Sequence, residues 1–190
     1  MQANENPFRL GRADALAYHL SDTTWETLLS RLDALDHRAA IVGPYGSGKT
    51  TLLRSLASRL GQDRFRFRPL RLWEEQRLFP RGFLRPFLAS LTRRDLILFD
   101  EADQLPWPIW YYFKRRSRAA GGLIVTSHRP GLLPTLIQCA TSPALLGQVI
   151  TELLGQPLPD HQRQVTRLYR KHHGDIRQAL RELYDVYAEI

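Results

Sequence analysis

Two short stretches of this 190-residue chain hold residue types whose spacing could do chemistry. The first is GPYGSGKT at 43–50, which fills every fixed position of the Walker A pattern G-x-x-x-x-G-K-[ST]. Gly43 ends the preceding strand in a sharp turn, and Gly46 and Gly48, without a Cβ, let backbone N–H groups converge on phosphate oxygens. Pro44, Tyr45 and Ser47 complete the loop. Lys49 is expected to reach the β- and γ-phosphates, and the Thr50 hydroxyl to ligate Mg²⁺. Thr51 follows into a helix whose positive dipole end faces the same anion.

The second stretch is DLILFDE at 95–101, an apolar run ending in adjacent carboxylates. In this Walker B reading, Asp100 closes a buried strand and holds Mg²⁺, while Glu101 orients and deprotonates an attacking water. Asp95, at the other end of the run, reads as a solvated strand start. A third apolar run, LIV at 123–125, ends in Thr126 and Ser127. Either hydroxyl could contact the γ-phosphate or the water, or could simply cap the strand end.

These residues need elements to hold them. The runs AAIV at 39–42, LILF at 96–99 and LIV at 123–125 are continuous rather than alternating, as in parallel strands covered on both faces. Residues 64–72 alternate arginine with apolar residues and contain Pro69, the mark of an edge strand. A fifth strand is expected within 135–142. Residues 49–60 put Leu52, Leu53, Leu56 and Leu60 on one helical face, and 22–35 do the same with Trp25, Leu28, Leu29, Leu32 and Leu35. Strands alternating with helices indicate an α/β, three-layer core with a mostly parallel sheet. The tail reads as three helices: one from Ser142–Pro143 to Gly155, one capped by Asp160, and one capped by Asp175. The expected organisation is an N-terminal segment and helix at 1–37, a core at 38–142 and a small helical subdomain at 143–190.

Composition sets bounds. The single cysteine, Cys139, cannot form an internal disulfide, and the first residues lack the apolar stretch of an export signal. No apolar run is long enough to span a bilayer. Cytoplasm is the expected compartment. The net charge is +8, but only Lys49, Lys114 and Lys171 of the 27 basic residues are lysines. Nucleic acid and a plain arginine bias are both compatible with that charge.

GPYGSGKT, LILFDEAD and LIVTSHRP together resemble the AAA+ and related P-loop NTPases, the branch in which an acid activates water. The NPF segment at 6–8 is similar to one preceding the core of ExeA/TniB-like bacterial AAA ATPases. The resemblance implies a sheet order of 5-1-4-3-2, an adenine contact at Phe8, and a γ-phosphate contact at Arg177 within HHGDIRQAL. It also implies ATP and Mg²⁺ as cofactors. It assigns no arginine finger among Arg115, Arg116, Arg118 and Arg129.

The function expected is a slow Mg²⁺-dependent ATPase, working as a switch or motor within an assembly with a protein partner or with further copies of itself. Two alternatives stand beside it. One is a nucleotide-sensing adaptor that binds DNA or protein with negligible hydrolysis. The other is a small-molecule phosphotransferase with its acceptor loop at 80–91. At 106–118, PWPIWYYFKRRSR could stack bases and hold phosphates, or could pack Trp107, Trp110 and Tyr111 on the sheet before a solvated basic end.

Overall fold

The structure, a computed structural model, describes residues 6–8, 18, 20, 23–61, 63–72, 78–158 and 160–188. The start of the expected first helix at 22 and the proline at 159 lie outside the described residues. The chain folds as two compact units.

The sheet unit comprises Tyr18–Gly43 and Leu52–Gln138. Among its described residues are five strands, β1 (Arg38–Val42), β2 (Arg66–Arg71), β3 (Asp95–Asp100), β4 (Gly122–Ser127) and β5 (Thr135–Gln138). All pair in parallel, in the order β2-β3-β4-β1-β5, which from the other edge reads 5-1-4-3-2. The arginine-rich β2 is an edge strand, as its Pro69 requires.

Both faces of the sheet are covered, which explains the unbroken apolar runs. On one face Ala40, Val42, Ile97, Phe99, Leu123 and Val125 form a core with Phe87 and Leu88 of α3 (Leu84–Ala89) and Trp110 and Phe113 of α4 (Trp107–Arg116). The opposite-facing Ala39, Ile41, Leu96 and Ile124 are buried as well. So are Leu28 and Leu32 of α1 (Trp25–Ala34), and Leu52, Leu53 and Leu56 of α2 (Lys49–Leu60). The Thr24 hydroxyl caps α1 by accepting the Thr27 N–H at 3.2 Å.

Two expectations are corrected in this unit. Asp95 is no solvated strand start: it is fully buried, accepting 2.6 and 2.9 Å bonds from Arg66 Nε and Nη2 and two more from the Thr92 N–H and hydroxyl. Arginines on the wet side of an edge strand supplied a partner that the strand sequence alone does not show. Nor do Trp107, Trp110 and Tyr111 share a buried face. Trp110 is 1% exposed, but Trp107 is 66% and Tyr111 61% exposed. Successive helical residues turn by about 100°, so the phase that points Trp110 and Phe113 at the sheet turns Tyr111 away.

The helical unit comprises residues 6–8, Pro44–Thr51 and the described part of Cys139–Ile190. It contains α5 (Pro143–Leu154), α6 (His161–Lys171) and α7 (Ile176–Ala188). The Ser142 hydroxyl accepts the Leu145 N–H at 3.1 Å and so starts α5. Asp175 Oδ1 accepts the Gln178 N–H at 3.1 Å and so starts α7. Asp160 makes no side-chain cap; it sits in the left-handed region (φ 47°), and its backbone oxygen accepts from Arg163 and Gln164 instead. Leu146, Ile150, Val165, Leu168, Ala179, Leu180 and Leu183 form this unit's core, together with Phe8.

Candidate functional site

The helical unit includes the glycine-rich loop. Gly46 and Gly48 take φ of 70° and 78°, a region closed to most side chains. Gly46 is also hemmed in: a Cβ there would fall against Asp175 Oδ1 and 2.7 Å from the backbone nitrogen of Ile176. The loop tip therefore packs on the start of α7. The Pro44 carbonyl accepts the Ser47 hydroxyl and the Lys49 ammonium, each at 2.8 Å. Lys49 is only 7% exposed, with its Nζ 5.8 Å from the Tyr45 ring centroid. The ammonium is thus largely stripped of water and held on an oxygen that a phosphate oxygen could replace. Thr50 and Thr51 are half-buried at the start of α2.

Of the residues carried over by resemblance, Arg177 is exposed in the first turn of α7. Phe8 is 2% exposed, with its ring edge-on to Tyr187 at 5.1 Å. Asn6 fixes that segment: its Nδ2 donates to Tyr184 O at 2.8 Å and its Oδ1 accepts the Phe8 N–H at 3.0 Å. A ring so covered anchors the N-terminal segment to α7, and we assign it no base contact.

The sheet unit carries the acid pair. β1, β3 and β4 end on one edge, where the Gly43 N–H donates to Ser127 O at 3.1 Å. β4 lies between β1 and β3, so its tip borders the end of each. The Thr126 hydroxyl is fully buried. It donates to Asp100 Oδ1 and accepts the Glu101 N–H, both at 2.7 Å. Glu101 is a non-glycine residue at φ 59°, ψ 45°, a conformation that costs about 1–2 kcal/mol. The bond from its N–H to Thr126 helps hold it there. Its side chain is 20% exposed and so open to water. The Ser127 hydroxyl donates to Arg129 O at 2.8 Å, which makes it a strand-end cap in this structure.

Three contacts here lay beyond the sequence reading. Arg71 stands opposite Asp100 in the β2–β3 register. Its guanidinium approaches both acids, with Nε 3.5 Å from Asp100 Oδ2 and Nη2 4.0 Å from Glu101 Oε1. Asp103 Oδ2 accepts the His128 N–H at 2.9 Å and lies 2.8 Å from His128 Nδ1, tying the turn after β3 to the turn after β4. Setting 66–71 beside 95–100 in parallel would have found Arg71. Nothing in the sequence marks the Asp103–His128 pair.

The donor chemistry at Asp100 fits magnesium: it is a carboxylate 5% exposed and already oriented by Thr126.

The strand order and the 43–50 motif are those of a P-loop NTPase-like α/β fold. Residues 39–107 match the model of the "ATPase family associated with various cellular activities (AAA)", a similarity over about a third of the chain. RuvB of Thermotoga maritima shares the fold, with a TM-score of 0.56 at 20% identity, over 83% of this chain and 58% of that one. NtrX of Brucella abortus also shares it, at 0.52 and 11% identity over 92% and 52%; a second NtrX structure, in complex with ATP, gives 0.51 and 13% over 90% and 50%. The chain thus spans less than two thirds of these relatives. No curated protein sequence matches it. The solved structures speak to the fold, and nothing in these likenesses points to the narrower ExeA/TniB-like group. Among the described residues, no helix is long and apolar enough to cross a membrane.

Proposed function

We propose that this chain binds ATP with magnesium and hydrolyses it slowly, as a cytoplasmic switch or motor within an assembly. The observation that carries the reading is the acid pair: Asp100 and Glu101 end a central strand and share one buried hydroxyl, in a chain whose 43–50 loop is a complete phosphate-binding motif. In this reading the loop amides and Lys49 hold the β- and γ-phosphates, Lys49 exchanging the Pro44 carbonyl for a phosphate oxygen. Glu101 orients a water for in-line attack and takes its proton. Thr126 keeps both acids in place. Arg177 lies on the helix whose start touches Gly46, which supports a γ-phosphate role for it. Thr50 and Asp100 would hold the magnesium, whose charge when bound offsets that of the polyphosphate. The core at 38–142 and the tail at 143–190 then act as nucleotide-binding body and lid.

One observation favours the adaptor reading. Arg71 lies against both carboxylates, and a cation there draws Glu101 away from a water. In that case the protein binds ATP and turns over only when a partner removes the contact.

The experiment compares ATP binding by calorimetry with steady-state phosphate release, for wild type, Lys49→Ala and Glu101→Gln. The ATPase reading expects Lys49→Ala to abolish binding, and Glu101→Gln to keep binding and lose release. Binding without release in wild type, restored by Arg71→Ala, selects the adaptor. No binding by wild type overturns both.

A further inference from the structure

The exposed face of α4 takes no part in the nucleotide site. Trp107, Tyr111 and Tyr112 are 66%, 61% and 41% exposed on it. Apolar rings grouped on one exposed helical face can mark an interaction surface, where a single exposed ring would not. Trp107 and Tyr111 are one helical turn apart, which sets their Cβ atoms about 5–6 Å from one another. Beyond them Arg115, Arg116 and Arg118 are exposed. Among the described residues, no side-chain hydrogen bond or ion pair engages any of the three.

The topology says where this basic end lies. β3 and β4 are parallel, so α4 must run back from the end of β3 to the start of β4. Its arginines therefore reach the amino edge of the sheet. There Arg38 begins β1, and its guanidinium donates to Ser117 O at 3.3 Å and Ser117 Oγ at 2.8 Å, under the turn that carries Arg118. Burial, and then the nearby charges of Arg118 and Arg93, push Arg38 below the usual arginine range. Like charges are thus crowded at one edge with no carboxylate paired to Arg93 or Arg118 among the described residues.

The face is an aromatic stripe leading into unneutralised arginines. A second copy of this chain is a poor occupant, since each copy carries +8. A polyanion that also offers flat apolar rings matches both halves of the surface, and single-stranded nucleic acid has both. A duplex would present phosphates but keep its bases stacked inside.

We propose that α4 and the turn after it take single-stranded nucleic acid, with bases stacking on Trp107 and Tyr111 and phosphates held by Arg115, Arg116 and Arg118. The surface shares no residue with 43–51 or 100–101, so it stands or falls apart from the ATP reading.

The test is fluorescence anisotropy of a labelled oligothymidylate of about 20 nucleotides on the full chain, without nucleotide, over about 50–200 mM salt. Binding is expected, with quenching of tryptophan fluorescence, and Lys49→Ala should leave it unchanged. Trp107→Ala with Tyr111→Ala should weaken it by about tenfold or more. Arg115→Ala with Arg116→Ala should flatten the log–log salt slope by about 1.4. Both pairs are exposed, and circular dichroism should show an unchanged fold. The proposal is overturned by no binding at low salt, by equal affinity in the aromatic variant, or by tighter binding of a duplex of the same length. It is equally overturned if the aromatic variant breaks up a self-association seen by sedimentation while oligothymidylate binding persists.

Discussion

Thr126 donates its hydroxyl to Asp100 Oδ1 at 2.7 Å from a fully buried position, so the strand between the two motif strands sets the pose of the acid on its neighbour. The same oxygen accepts the Glu101 N–H. One hydroxyl therefore governs both carboxylates. That geometry supports a positioning role for Thr126 through the acids.

Thr126→Val keeps the volume and removes the hydroxyl. It leaves Asp100 Oδ1 without its threonine donor and the Glu101 N–H without its acceptor, at a cost of about 1–3 kcal/mol. Phosphate release should fall by about 10- to 100-fold, because the acids lose their alignment, while calorimetric ATP affinity stays unchanged. Thr126→Ser should restore much of the rate. A valine variant with full turnover would remove Thr126 from the positioning role.

Gly46→Ala should be harmful for two independent reasons. Its φ of 70° costs a side chain about 1–2 kcal/mol, and the added methyl meets Asp175 and Ile176. The melting temperature should drop by about 2–8 °C, and ATP binding should weaken. Combining it with Asp175→Gly should recover part of the loss, since the nearest clashing atom belongs to that side chain. An alanine variant as stable as wild type would mean that the loop does not rest on α7.

Asp95 makes a pH prediction. Its hydrogen bonds from Arg66, foremost, and from Thr92 hold the carboxyl down to about 2, against an ordinary value of 3.8, although burial opposes them. A lowered folded value means the contribution is complete above the ordinary value and disappears as pH falls through about 2. Urea midpoints should therefore fall between pH 4 and pH 2 more steeply for wild type than for Asp95→Asn. At pH 7 the asparagine variant should be less stable by on the order of 2 kcal/mol. Parallel pH curves for the two proteins would count against the pair.

Much of this was legible in the sequence because it is local. The phosphate-binding loop is a run of eight adjacent residues, and its glycines are specified by backbone geometry alone. The three apolar runs announced central strands, and the motif resemblance supplied their order. What stayed hidden depends on how separate segments align. Arg71 meets Asp100 only through the register of two strands far apart in sequence, and Asp95 is buried by arginines from that same edge. The outward turn of Trp107 and Tyr111 also stayed hidden, because only the packing of Trp110 and Phe113 on the sheet fixes the phase of that helix.

The Gly46 contact gives the tail a mechanical meaning. The helix that begins against the loop runs for 13 residues, about 20 Å. Near its far end the Tyr184 carbonyl accepts from Asn6 Nδ2, so one helix ties the phosphate-binding motif to the segment at 6–8.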